Sequence, residues 1–134
     1  MQGLLAGRYD SVEDIPMLRR RTRHFSCHRD GTRHGELGHE TILMETVLDL
    51  RDFAEAVGLP MSVMCLSWLI AQPGVTSAVL GARNPAQLQR NLAAATLDIG
   101  PAAVAQLNEI TYPLKRAMGH NCDMWQSSLE SRIR

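Results

Sequence analysis

The sequence predicts an α/β domain that is mostly helical and contains about one complete strand. Apolar residues recur at helical spacing in several segments, and one short β-branched run is bounded by turn residues. No second run of that kind occurs in the 134 residues. Unpaired backbone groups of a buried strand cost about 1–3 kcal/mol each, so either its sheet partners lie outside this chain or the strand prediction is wrong. The element order is that of the end of an α/β domain.

The helices and the strand follow from local signals. Residues 1–40 are polar and rich in Gly, Arg and His, and they are predicted to form a long loop. A first helix is predicted from a 4-3-4-3 spacing of apolar residues, which are Leu43, Val47, Leu50, Ala54 and Val57. A second, buried helix is predicted over 61–71 and ends before Pro73. Residues 75–80 are the predicted buried strand.

Two more helices complete the predicted order of helix, helix, strand, helix and helix over residues 41–112. Asn84 is a preferred N-cap residue and Pro85 suits the first helical position. The last helix is predicted to start at Gly100-Pro101 and to end at Pro113, where proline removes a backbone donor. Residues 113–134 are then a polar C-terminal tail.

Composition excludes several classes of function. Fourteen Lys+Arg balance fourteen Asp+Glu, and aromatic residues make up 4% of the chain. These values oppose binding of nucleic acid by bulk charge or by base stacking. No apolar run approaches the ~20 residues that span a bilayer and no signal pattern is present, so a cytoplasmic protein with no membrane partner is expected. Three cysteines do not form a disulfide framework.

The segment from Ala78 to Asn91 carries the strongest chemical signal. A strand that feeds a capped helix through small residues, Gly81 and Ala82, leaves free N–H groups open to an anion. Arg83 adds a guanidinium group that matches a phosphate bidentately. Gln87 and Asn91 share one helix face, and their amides suit the edge of an adenine. Arg90 borders that face and is placed to stack on the ring. The segment predicts a site for a phosphorylated adenosine.

Structural alternatives exist for these residues and for a nearby cluster. Asn84 and Gln87 have capping-box spacing, so both have a purely local role open to them, and Arg83 is then an ordinary surface charge. The loop also holds one cysteine and four histidines, but their spacing does not match a zinc site, and no metal is predicted. Those residues are Cys27, His24, His28, His34 and His39. Cys65 and Trp68, on the second predicted helix, are expected to be core residues.

Three motifs resemble the aldo-keto reductase family. They are the segment 2–9, the run 66–69 followed by 72–75, and the segment from Gly81-Ala82-Arg83 through Gln87-Leu88 to Asn91. They occur in the family's order and spacing, and the resemblance covers nearly the whole chain. It implies an NADP(H)-dependent oxidoreductase on a (β/α)8 TIM barrel, of which residues 1–134 are a C-terminal fragment. Residues 1–40 then follow the seventh barrel strand.

The resemblance also implies roles for individual residues. Arg83 corresponds to the residue that grips the 2′-phosphate of NADP, and Gln87 and Asn91 correspond to adenine contacts. Backbone amides of the segment with Gly3 and Leu4 face the pyrophosphate. The predicted cofactor-binding set is Gly3, Leu4, Arg8, Arg20, Gly81, Arg83, Gln87, Arg90 and Asn91. Arg8 and Arg20 stand at or near family positions directed at the phosphates.

No residue of this chain corresponds to the family's catalytic Asp, Tyr, Lys and His. Tyr9 and Tyr112 are misplaced for that role and Lys115 is the single lysine, so no catalytic residue is predicted here. Two functions follow. The chain is either the NADPH-binding part of a reductase of aldehydes and ketones, inactive alone, or a non-enzymatic nucleotide- or partner-binding regulatory fragment. A complementary barrel fragment is an expected partner in both cases.

Overall fold

The computed structural model describes residues 3–133, which form four α-helices and three short 3-10 helices. The α-helices are α1 (Glu40–Ala56), α2 (Met61–Ile70), α3 (Pro85–Thr96) and α4 (Gly100–Met118). The 3-10 helices span Leu4–Ala6, Met17–Arg19 and Ser128–Glu130. The four predicted α-helices are therefore confirmed.

The described residues divide into two compact units. The first unit comprises Gly3–Arg8 and Asp49–Ile110, and the second comprises Tyr9–Leu48 and residues 111–133. Each unit has its own apolar core. Met64 and Leu107 are fully buried in the first unit, and Ile15 and Phe25 are fully buried in the second.

The predicted strand over residues 75–80 is not confirmed. These residues are in no helix, and none of the described residues 3–133 forms a strand. Val79 is fully exposed and Leu80 is partly exposed, although both were expected to be buried. A strand exists only when neighbouring backbone supplies its hydrogen-bond ladder, and the described chain supplies no such neighbour.

The predicted end of the last helix at Pro113 is wrong. Pro113 lies inside α4, which continues to Met118. A proline in a helix removes one hydrogen bond to the carbonyl four residues earlier, here that of the exposed Glu109, where water can replace it. Burial of Thr111 and Met118 on either side keeps the helix intact across the proline.

Helix α2 forms the centre of the first unit. Both the Leu4–Ala6 turn and α3 pack against it. The Ser67 hydroxyl donates a hydrogen bond to the carbonyl oxygen of Ala94 in α3 at 3.0 Å. Trp68 Nε1 donates to Asn108 Oδ1 in α4 at 3.0 Å. The predicted core positions of Cys65 and Trp68 are confirmed, because both side chains are buried.

Membrane-spanning length is not reached by any one helix within residues 3–133. Only α1 and α2 taken together have the length and apolar character of a span, and a bend of 99° separates them.

Candidate functional site

Helix α3 begins with a complete side-chain cap. Asn84 has an extended backbone, and its Oδ1 accepts a hydrogen bond from the backbone N–H of Gln87 at 2.8 Å. Gln87 Oε1 accepts in turn from the backbone N–H of Arg83 at 3.0 Å. The alternative role of Asn84 and Gln87 in capping is therefore confirmed. The Asn84 contact satisfies a backbone donor that the start of a helix leaves without an intrahelical partner, and the Gln87 contact binds the residue before the cap.

The side-chain amides of Gln87 and Asn91 each use only one of their two polar atoms in these local contacts. Asn91 donates through Nδ2 to the carbonyl oxygen of Gly81 at 3.4 Å, which ties the turn before α3 to the helix. Gln87 Nε2 and Asn91 Oδ1 have no hydrogen-bond partner in the part of the chain that the structure describes. One donor and one acceptor are thus left available one helical turn apart.

The same end of α3 is electropositive. Arg83 and Arg90 are exposed, and neither forms an ion pair with another residue between 3 and 133. The first turn of α3 contains no acidic residue, so the partial positive charge of the helix N-terminus is not neutralised. A side-chain Cβ built on Gly81 would meet no atom within 4 Å, so the space over this turn is open. The arrangement favours an anion.

The Leu4–Ala6 turn offers backbone donors. Gly3 (φ 83°) and Gly7 (φ 65°) have left-handed conformations that glycine adopts without strain, and they bound the turn on both sides. The first hydrogen bond of the turn runs from the N–H of Ala6 to the oxygen of Gly3. The N–H groups of Leu4 and Leu5 precede it and have no partner within the turn. Leu4 is buried and Leu5 is half-buried.

Helix α2 packs against both the Leu4–Ala6 turn and α3. Gly7 packs against Met61 in the first turn of α2, and Ala94 of α3 is bonded to Ser67. Ser67 follows Met61 by six positions, which corresponds to about 9 Å along the helix axis.

The first unit contains eight of the nine predicted cofactor-binding residues, namely Gly3, Leu4, Arg8, Gly81, Arg83, Gln87, Arg90 and Asn91. Arg8 is exposed beside the turn.

Arg20 is the ninth predicted residue and belongs to the second unit. It follows the Met17–Arg19 helix, and its backbone N–H donates to the oxygen of Met17. Its charge acts on Glu40. The side-chain hydrogen bond from Arg29 is the main cause that lowers the pKa of Glu40, and the N–H of Ser26 and the charges of Arg29 and Arg20 lower it further. Arg20 therefore has an acidic neighbour within its own unit.

Arg23 has a structural role that the sequence analysis did not find. Its side chain is buried and donates to Glu36 Oε1 at 2.8 Å, to the carbonyl of Asn121 at 2.7 Å and to that of Met118 at 2.8 Å. It thereby joins the loop to the end of α4. Arg23 belongs to a run of four arginines in five residues, and nothing in the sequence distinguishes the buried one from its neighbours.

The second unit also contains an acidic cavity. An open cavity of about 390 Å³ lies between residues 10–13 and the first half of α1. Its lining includes Asp10, Glu13, Glu40 and Glu45, and Glu13 and Glu40 pair with Arg29. Among residues 3–133, no group of three or more His, Cys, Asp or Glu side chains is arranged to hold a metal ion.

Comparison with known proteins identifies the family. A profile of the Aldo/keto reductase family matches residues 1–111. The chain therefore belongs to the aldo/keto reductase family, whose members are oxidoreductases built on a (β/α)8 barrel. The predicted family is confirmed.

Two curated relatives are similar over most of the chain. Both are named L-glyceraldehyde 3-phosphate reductase, one from Escherichia coli strain K12 and one from Escherichia coli O157:H7. Each is 29% identical over 131 residues, which cover 95% of this chain and 34% of the relative. The chain thus spans about a third of the length of the curated relatives it matches. No solved structure matches the sequence.

Proposed function

We propose that this chain is the NADPH-binding part of an aldo/keto reductase that reduces an aldehyde or ketone to an alcohol. The observation that carries the proposal is the N-terminal end of α3, where the exposed Arg83 offers a cation and the half-buried Gln87 and Asn91 offer an amide donor and an amide acceptor. Membership of the family supplies the class of reaction.

Arg83 is assigned to the 2′-phosphate of the cofactor. Its side chain is exposed, it has no ion pair among the described residues, and it immediately precedes the uncompensated N-terminus of α3. A guanidinium group donates two parallel hydrogen bonds to a phosphate, and the helix dipole adds to the attraction. NADH lacks this phosphate, so Arg83 distinguishes the two coenzymes.

Gln87 and Asn91 are assigned to the adenine ring. The edge of adenine offers an amino donor beside a ring acceptor. Asn91 Oδ1 suits the amino group and Gln87 Nε2 suits the ring nitrogen, and their other amide atoms are fixed by Gly81 and Arg83. Because the contacts with Arg83 and Gly81 orient the Gln87 and Asn91 side chains before a ligand arrives, these side chains lose less conformational entropy on binding. Arg90 is assigned to stacking on the same ring.

The Leu4–Ala6 turn and Arg8 are assigned to the pyrophosphate. The N–H groups of Leu4 and Leu5 have no partner within their turn, and Leu5 is half-buried. Arg20, in the second unit, keeps the phosphate contact that the family resemblance implies. These groups bind and orient the cofactor, and the bound NADPH supplies the hydride for the reduction.

The catalytic Asp, Tyr, Lys and His of the family are assigned to polypeptide outside these 134 residues. Tyr9 is buried and its hydroxyl accepts a hydrogen bond from Arg19 at 2.8 Å, which favours a structural role for this tyrosine. We therefore expect the isolated chain to bind NADPH and to have no reductase activity.

A regulatory role without catalysis is the second candidate, and exposed apolar residues of the first unit favour it. Val79, Leu80, Leu88 and Leu92 are all substantially exposed, and Leu88 and Leu92 lie one turn apart on α3. Exposed apolar patches are typical of interaction surfaces. The proposed partner is a complementary barrel fragment that supplies the strands beside residues 75–80.

A binding titration tests the first proposal. NADPH and NADH are titrated separately into the 134-residue chain, into Arg83→Glu, and into Arg33→Glu as a control with the same change of charge at an exposed loop position. We expect tight binding of NADPH by the unsubstituted chain and by Arg33→Glu, with selective loss in Arg83→Glu. Equal affinity of Arg83→Glu and the unsubstituted chain for NADPH would refute the assignment of Arg83.

A further inference from the structure

Residues 22–39 fold into a loop with an unusual number of buried polar side chains; we name this segment the 22–39 loop. Thr22, Arg23, His24 and His34 are all buried, together with Phe25. Arg23 is the permanent cation of this set, and its side-chain ion pair is with Glu36. The charge buried beside His24 is therefore balanced only while this imidazole is neutral.

His24 lies in a position that opposes a positive charge. Its Nδ1 is 3.2 Å from the hydroxyl oxygen of Thr22, and its ring packs edge-on against Phe25. Burial is the main cause that lowers the pKa of His24 to about 4, and the charges of Arg23 and His39 lower it further. Among the described residues, Arg23 and His39 are the charged or titratable groups that act on this imidazole, and Glu36 pairs with Arg23.

His34 has a geometry that requires an unprotonated Nδ1. The backbone N–H of Glu36 donates to this atom at 3.4 Å. The other ring nitrogen, Nε2, is buried and has no hydrogen-bond partner among the described residues. The Nδ1 contact fixes the loop backbone at Glu36, whose carboxylate pairs with Arg23.

The 22–39 loop also holds the C-terminal part of the chain. The backbone N–H of Arg23 donates to the oxygen of Met124, and the Arg23 side chain binds the carbonyls of Met118 and Asn121. Within the loop, the N–H of His39 donates to the oxygen of His24 and the N–H of Cys27 to that of Glu36. A change at His24 or His34 therefore acts on backbone contacts of the loop and of the tail.

We propose that the 22–39 loop is an acid-sensitive latch, in which protonation of His24 releases the loop and the C-terminal tail that Arg23 holds. The neutral, buried imidazole of His24 closes the latch at neutral pH. Acid weakens the closed state, because opening exposes this ring to water and allows it to carry a proton. This inference concerns the second unit only and does not depend on the proposed cofactor site.

Hydrogen–deuterium exchange of the full chain at pH 7 and pH 5 tests the latch. Protection factors are corrected for the pH dependence of intrinsic amide exchange and read at Arg23, Cys27 and His39. A histidine whose pKa rises from about 4 to its ordinary 6.5 on opening contributes a loss of protection of about 20-fold between these two pH values. The contribution is present above pH 6.5 and is lost as the pH falls toward 4. Amides of α2 and α3 are expected to change less than twofold.

Variants separate protonation from a general loss of stability. In H24N the Asn Oδ1 replaces Nδ1 and cannot be protonated, so H24N is expected to lose most of the acid-induced fall in protection. H28N, at an exposed position of the same loop, is expected to keep the acid-induced fall. If H24N has no protection at pH 7, H24Q is compared instead and is expected to show a smaller fall than the unsubstituted chain. An unsubstituted chain that stays protected at pH 5 would overturn the proposal, as would an undiminished fall in H24N or, where it is used, in H24Q.

Discussion

Replacement of Arg23 by alanine is expected to open the loop–tail contact of the second unit. Three acceptors lose their donor, namely the Glu36 carboxylate and the carbonyls of Asn121 and Met118. Breaking a buried ion pair by removing one partner costs about 3–5 kcal/mol. The Glu36 side chain is 26% exposed and regains some water, which favours the lower end, about 3 kcal/mol. This energy corresponds to a fall of about 150-fold in local protection.

Hydrogen exchange at pH 7 measures this loss at the amides of Cys27 and His39. Arg23→Lys keeps the charge but not the planar fork, so its protection is expected to be intermediate. Arg33→Ala, at an exposed position of the same loop, is the control and is expected to match the unsubstituted chain. Protection in Arg23→Ala within threefold of the unsubstituted value would refute the view that this guanidinium holds the loop and the tail together.

Two further predictions concern the first unit. Asn84→Ala removes the acceptor for the N–H of Gln87 and is expected to lower the free energy of unfolding by about 1 kcal/mol in urea titrations. Gln89→Ala, at an exposed position of the same helix, is the control and is expected to leave this free energy unchanged. Equal stability of the two variants would contradict the role of Asn84 as a cap. Burial raises the pKa of the Cys65 thiol to about 11. At pH 8 its alkylation by iodoacetamide is therefore expected to be at least about tenfold slower than alkylation of the exposed Cys122. Mass spectrometry of peptides follows both rates. Similar rates at the two thiols would contradict this.

Helices were predictable from the sequence because their signals are local. The Asn84-Pro85 start of α3 has a cap and a first residue that act within four positions, and the structure contains both. The spacing of apolar residues in α1 has the same local character. The strand over residues 75–80 failed for the opposite reason, since a strand depends on neighbours distant in sequence that the described chain does not supply.

Pro113 shows how packing overrides a local signal. The sequence predicts a helix end there, but α4 continues for five residues to Met118. Met118 is buried and its carbonyl is bound by Arg23, which lies 95 residues earlier in the chain. No pattern around Pro113 contains this contact, so the continuation of α4 was not predictable from the sequence.

The candidate site was predictable only in its residue types. The spacing of Gln87 and Asn91 places them on one face of α3, but the sequence does not specify which amide atoms the cap occupies. The structure resolves this, since Gln87 Nε2 and Asn91 Oδ1 are the atoms left available. Arg20 was predicted beside the other cofactor contacts, yet it belongs to a different unit, in which Glu40 is its acidic neighbour.

A nuclear magnetic resonance titration tests the assigned cofactor site most directly. The ¹⁵N-labelled chain is titrated with adenosine 2′,5′-bisphosphate and, separately, with adenosine 5′-monophosphate. We predict that the side-chain amide signals of Gln87 and Asn91 shift with both nucleotides, and that the Arg83 guanidinium signal shifts only with the 2′-phosphorylated one. Unchanged signals throughout residues 81–91, or an identical response of Arg83 to both nucleotides, would contradict the assignment.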